Sequence, residues 1–218
     1  MGAREVILDR IRKNLGRVAE ENQPPVPEVW PRTHPSSADL ARRFSEELRA
    51  VHGEALVHHN WLSAQEDFWN LAEKAGWRQA LVMDRPLAWQ LANSAPGLQT
   101  IPVPDSPVPR DLEPTPVSIL EAECLLADTG SAVVVCRNPG ERLACYLPPA
   151  CVIVATADRL CEHLPAARER ITSVARQPEM RGECVIITGP SRTADIEKIL
   201  ILGVHGPKRL IVYLIGAE

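Results

Sequence analysis

The stretch Glu183–Ile215 reads ECVIITGPSRTADIEKILILGVHGPKRLIVYLI. Two continuous apolar runs, Cys184–Ile187 and Leu210–Ile215, enclose a short polar island and a histidine. Unbroken apolar runs of this length, bounded by turn residues, are the pattern of central strands covered on both faces. Gly189-Pro190 ends the first run. Ser191 to Asp195 then reads as a turn into a helix through Ile196, Ile199 and Leu200, closed by Gly203. Strand, turn, helix, strand is the repeat of an α/β sheet.

The same alternation extends upstream. Leu40, Phe44, Leu48 and Val51 recur at helical spacing behind Ser36 and Asp39, which suit a helix amino terminus. "EALVH" and "QALVM" read as strands. Ser63–Glu66 has the capping-box pattern and opens a helix that ends near Gly76; Asp84 is expected to cap a short helix through Leu87 and Leu91. Prolines from Pro96 to Pro116 leave room only for a short strand near Leu98–Val103. Ser118–Glu121 repeats the capping-box pattern and predicts a helix toward Asp128. "TGSAVVVC" is a strand, Asn138-Pro139-Gly140 a hairpin turn, and "LACYL" and "CVIVA" two further strands. A helical region follows around Leu160–Arg170. The fold expected is a three-layer α/β/α domain with a mainly parallel sheet.

The amino terminus is different in kind. Leu8, Ile11, Leu15 and Val18 form an amphipathic stripe, and "ENQPPVPEVWPRTHP" is an extended, proline-rich linker. This divides the chain into an arm and linker, residues 1–35, and an α/β domain, residues 36–218. The stripe needs a cover, so the arm is expected to dock on another copy or on a partner.

Charge and composition exclude some classes. The 218 residues are 45% hydrophobic and 24% charged, with a formal net charge of −4. A nucleic-acid footprint normally needs a basic excess on one face. No run is apolar enough to span a bilayer, and "MGAREVILDRIRKNLG" lacks the apolar core of a secretory signal. The compartment expected is the cytoplasm. The six cysteines stand mostly in apolar surroundings, and none forms a Cys-x-x-Cys pair. They read as small buried hydrophobes, with no metal and no cofactor held by this chain.

Ser191, Arg192, Thr193 and Asp195 crowd one turn at the end of a strand, where open α/β sheets bind ligands. A helix amino terminus there would add unpaired N–H groups, suited to a small carboxylate or phosphate. Each residue also has an ordinary reading, as N-cap, dipole partner or solvated charge. His205 is the candidate catalytic group, or a structural loop histidine. Thr129 and Gly130, in Asp128–Ser131, join the anion-site candidates, or form a plain turn. The islands are expected to line one cleft at the carboxyl edge of the sheet.

Ala127–Gly130, Leu147-Pro148-Pro149, Thr188–Glu197 and Gly203–Pro207 together resemble the lactate utilization protein C family, whose shared unit is the LUD domain. The resemblance runs from about Leu40 onward. Where the pattern often has a histidine after the double proline, this chain has Ala150-Cys151. The resemblance implies a fold similar to the glucosamine-6-phosphate deaminase, ribose-5-phosphate isomerase and CoA-transferase group. It also implies a subunit that helps oxidise L-lactate to pyruvate beside two iron–sulfur partner proteins, which would carry the clusters. The alternative is an autonomous enzyme of the same fold group, a CoA transferase or a nucleotide-using ligase related to 5-formyltetrahydrofolate cyclo-ligase. A transferase needs a glutamate nucleophile, and a ligase a phosphate cradle with lysine; neither stands out in the sequence.

Overall fold

The computed structural model describes residues 2–14, 30, 33–177, 183–194, 200–202 and 206–217. The chain divides into two compact units, residues 1–31 and 32–218. The first holds helix α1 (Ala3–Asn14), with Val6, Ile7 and Ile11 exposed. Leu15 and Val18 lie outside the described residues. Thr33 is tied into the larger unit, because its amide and hydroxyl both bond the Glu162 carboxylate.

In the larger unit α2 (Ser37–Ala50) leads to β1 (Glu54–His58), and α3 (Trp61–Ala75) to β2 (Gln79–Val82). Then come α4 (Pro86–Ala92), β3 (Gln99–Pro102), α5 (Pro109–Leu112) and β4 (Val117–Glu121). β5 (Cys124–Leu126), β6 (Ser131–Cys136) and α6 (Pro139–Ala144) precede β7 (Ala150–Thr156). β8 (Leu160–Cys161), α7 (Leu164–Ala175) and β9 (Glu183–Ile187) follow. β10 (Arg192–Ala194), β11 (Leu200–Leu202) and β12 (Arg209–Ile215) complete the order.

Six strands form one parallel sheet in the order β1-β12-β7-β4-β2-β3. β4 is buried along its whole length, and β7 and β12 are buried but for one end residue each. Their Val, Ile and Leu side chains fill both sides of the sheet, the reason such strands read as continuous apolar runs. On one side, Tyr213 of β12 docks α3: its hydroxyl donates to Asp67 Oδ2 at 2.8 Å, and its ring meets Phe68 edge-on at 5.9 Å. Burial first, and Asp67 next, push the Tyr213 hydroxyl well above its ordinary pKa. A second sheet, β8-β5-β6-β9, is mixed, and α7 packs against it. The α/β/α expectation holds for the main body. Among the described residues no helix is long and apolar enough to cross a membrane.

Several local expectations fail, each for a physical reason. Ser118–Glu121 is strand β4, not a helix start, because its position between β2 and β7 buries all five residues of Val117–Glu121. Non-local pairing outweighs a local capping pattern. Asn138-Pro139-Gly140 opens helix α6 rather than a hairpin. Asn138 Oδ1 accepts the Glu141 amide at 2.8 Å, and Pro139 takes the first helical position, where a missing N–H costs nothing. "LACYL" is therefore the end of that helix and the turn after it. The antiparallel pairing lies elsewhere, between β5 and β6 and between β6 and β9.

β9 is an edge strand of the small sheet, with Glu183, Cys184 and Ile186 exposed, and not a central strand of the large one. The largest correction concerns Ser191–Leu202. Arg192–Ala194 is a strand paired antiparallel with Leu200–Leu202, so no helix starts at Arg192. Thr193 and Ile201, both β-branched, face each other in the register and favour the extended form. Residues 195–199 lie outside the described residues. Finally, α3 starts two residues before Ser63, capped by Asn60, and Arg85 rather than Asp84 precedes α4.

Candidate functional site

The polar islands meet, but at the amino edge of the parallel sheet rather than the carboxyl edge. Pro207 and Lys208 lead into β12 there, and the Ser191 amide donates to the Pro207 carbonyl at 2.8 Å. The Lys208 amide donates to Pro149, in the double proline ahead of β7, also at 2.8 Å. Behind Ser191, the Thr188 and Ser131 hydroxyl oxygens lie 2.7 Å apart, and Ser131 donates to Thr129 Oγ1 at 2.8 Å. Four segments distant in sequence thus form one seam: 129–131, 148–149, 188–191 and 206–207.

Two glycines let the backbones come this close. Gly130 has φ +61°, and a Cβ there would lie 2.2 Å from the Leu48 amide nitrogen of α2. Gly189 has φ +78°, and a Cβ there would lie 2.7 Å from the Val51 carbonyl oxygen. Both positions combine a left-handed backbone with a contact no side chain can enter.

Of the residues singled out from sequence, the fold brings Thr129, Gly130 and Ser191 to this seam. Arg192 follows, exposed, with no ion pair to a described residue. Thr193 belongs to β10 opposite Ile201. His205 and Asp195 lie outside the described residues. With Arg192–Ala194 extended, the turn has no helix dipole to offer an anion, and what remains is the guanidinium and the hydroxyls.

Cys151, just past the double proline, is fully buried, and burial pushes its thiol up to about 12. Cys145 is raised by its contact with Cys136 and by burial, and Cys124 by its contact with Cys161 and by burial. Burial also raises the Cys184 thiol. Thiolates are the metal-binding form, so these four are held away from it. Among the described residues no group of three or more His, Cys, Asp or Glu side chains is placed to hold a metal ion.

A second site, unread in the sequence, lies at the carboxyl edge. Glu121 ends β4, Arg85 follows β2, and Arg159 follows β7, so three neighbouring strands point their ends at one place. β2 connects outward to β3, while β4 leads the other way to β7, which makes the gap between them a switch in winding direction. Arg85 donates to both oxygens of Glu141, at 2.8 and 3.1 Å, and the Arg137 amide donates to the same carboxylate at 2.6 Å. Arg159 pairs with Glu121 Oε1 at 2.7 Å, while Glu121 Oε2 accepts the Leu87 amide at 2.8 Å and so caps α4 from another strand. Arg170 pairs with Glu123 at 3.2 Å. Arg85, Glu121, Glu123, Arg137 and Arg159 line a cavity of about 170 Å³. The partners are separated by dozens of residues, and only the sheet order joins them; no sequence spacing marks them.

Comparison with known proteins fits this fold. The family model described as "LUD domain" matches residues 106–215. Lactate utilization protein C of Geobacillus thermodenitrificans is 32% identical over 94 residues, 43% of this chain and 39% of that protein. Uncharacterized protein YkgG of Escherichia coli is 33% identical over 104 residues, 47% of this chain and 45% of its own length. The matched stretch thus spans less than half of these curated relatives. A crystal structure of a DUF162 family protein from Deinococcus radiodurans superposes with a TM-score of 0.59 over 84% of this chain and 99% of that one, at 18% identity, a likeness of fold.

Proposed function

This chain belongs to the LUD domain family, and from that premise we propose that it is a subunit of a system oxidising L-lactate to pyruvate beside two iron–sulfur proteins. Converting the 2-hydroxyl of lactate to a ketone releases two electrons and two protons, and the partners' clusters accept the electrons. The buried thiols Cys124, Cys145 and Cys151, held above their ordinary pKa, support that division of labour. One observation carries the reading: described parts of all four segments that resemble lactate utilization protein C, Thr129-Gly130, Pro148-Pro149, Thr188–Ser191 and Gly206-Pro207, converge on a single seam.

Arg192 stands exposed beside the seam, and we assign it to docking. A guanidinium with no ion pair to a described residue suits a carboxylate on a partner's surface better than a small free anion, for which the described part of the turn offers little enclosure. Arg192→Ala is expected to weaken association with the partners roughly ten- to hundred-fold, with folding unchanged. The test is lactate-dependent electron transfer in the protein reconstituted with its two partners, with association measured alongside. Lactate failing to reduce the acceptor in the complete mixture sinks the proposal; full association by Arg192→Ala makes the turn structural.

The transferase alternative loses ground to Glu121. It is one of the two glutamates lining the carboxyl-edge cavity, and both its oxygens are engaged, by Arg159 and by the Leu87 amide, where a nucleophile needs one free. The cavity of about 170 Å³ beside it is also well short of the roughly 300 Å³ at which drug-sized pockets begin.

A further inference from the structure

We propose that the carboxyl-edge cavity is a binding site for a small 2-hydroxy or 2-oxo monocarboxylate, with Arg137 as its counter-charge. The position comes first. The cavity sits beyond the ends of β2, β4 and β7, at the change of winding direction, where neighbouring loops part and leave a crevice.

Charge comes second. Arg85 and Arg159 face the cavity but are neutralised by Glu141 and Glu121, and Arg170 neutralises Glu123. Arg137 also lines it, exposed, with no ion pair to a described residue. Among the described residues the balance of the wall is one positive charge without an ion pair, which calls for one negative charge on the ligand. The neutralised arginines are held by their glutamates and give the site a rigid polar floor.

Size and lining set the rest. A cavity of about 170 Å³ admits a molecule of a few carbons. Val135 and Val174 offer an apolar wall for a short alkyl group. Across from them, Glu123 uses Oε1 for Arg170 at 3.2 Å, and its Oε2 is left to accept a hydroxyl proton. Gln177 can donate to a carbonyl in the same place. That the natural member of this class is lactate rests on the proposed function; the class itself rests on the cavity.

The experiment is calorimetric titration of the full chain with L-lactate, pyruvate, glycolate, propionate and inorganic phosphate. The expected result is single-site binding of the hydroxy or oxo acids. Propionate, which lacks the second oxygen, should bind more weakly. Arg137→Ala should lower affinity roughly ten- to hundred-fold, with Arg137→Lys in between and an unchanged circular dichroism spectrum. Arg192→Ala, on the opposite edge, should bind these acids as the unaltered chain does. Glu123→Gln should narrow the gap between lactate and propionate. Absence of saturable binding at millimolar acid, phosphate binding more tightly than every carboxylate, or an Arg137→Ala affinity equal to the original would overturn the site. If glycolate binds through Arg137 and lactate does not, the cavity stands and the lactate assignment falls. If reconstituted electron transfer from lactate proceeds with Arg137→Ala at the full rate and with unchanged KM, the assignment of lactate to the cavity falls and the proposed function stands.

Discussion

Glu141 holds the carboxyl edge together at the scale of a single residue. Its side chain is 3% exposed and that of Arg85 is 12% exposed, so their bidentate pair sits out of water. Glu141 also accepts the Arg137 amide, and Arg85 also donates to the Asp84 and Val135 carbonyls, but each is the other's charged partner. Removing one partner of such a pair costs about 3–5 kcal/mol, because the survivor is left charged and unpaired. Glu141→Gln is therefore expected to lower unfolding stability by roughly that amount in urea titrations. Replacing both, as Arg85→Met with Glu141→Leu, should recover most of the loss, since a well-packed apolar pair avoids the desolvation penalty. Glu141→Gln with unchanged stability would show that the pair contributes nothing net. None of this was legible in the sequence. Neither Glu141 nor Arg85 stands out in the sequence, and they lie 56 positions apart.

At the scale of elements, the ends of helices separate what local chemistry decides from what the fold decides. α2 could be read directly, because its Ser36 cap and Asp39 are neighbours in the chain and bond as expected, the Asp39 amide to Ser36 Oγ at 3.1 Å. β1 spans the whole of the EALVH stretch, one residue beyond its apolar run at each end. α3 was misread by two residues: Asn60 Oδ1 accepts the Ser63 amide at 3.0 Å, and Ser63 lies inside the helix. Asn60→Ala should cost about 1 kcal/mol and Ser63→Ala much less, measured by chemical unfolding. The reverse order would restore Ser63 as the cap. β4 and β9 failed for a deeper reason. An apolar run states that a strand is buried or borders an apolar face, but not which sheet it enters. β9 joins β6 through pairings such as Val134 with Val185, a match no local pattern announces. The amino-edge seam was half legible, since its residues were identified from motifs while its place in the sheet and its missing helix were not.

At the scale of the whole molecule, the two units make a simple prediction. A chain beginning at Arg32 keeps Thr33 and its bonds to Glu162, so it should fold with the thermal midpoint of the full chain. The exposed Val6, Ile7 and Ile11 would go with the deleted arm, and self-association or partner binding should weaken. Sedimentation and thermal unfolding of the shortened chain check both parts; loss of the cooperative transition would refute the first. The α/β/α class was legible because alternation of strands and helices survives errors at single elements. The strand order was not, because it depends on which distant runs find each other, as β12 shows. That strand fills the slot between β1 and β7, and its Arg209 grips Glu54 across 155 positions of sequence with bonds of 2.5 and 2.8 Å. During synthesis at about 5–20 residues per second, β1 therefore waits roughly 10–30 s beside an empty lane of its own sheet. Once β7 has been made, the nascent chain presents two unpaired strand margins to chaperones and to its sister polypeptides on the same message. What occupies that lane first is expected to decide whether the sheet closes or the chain aggregates.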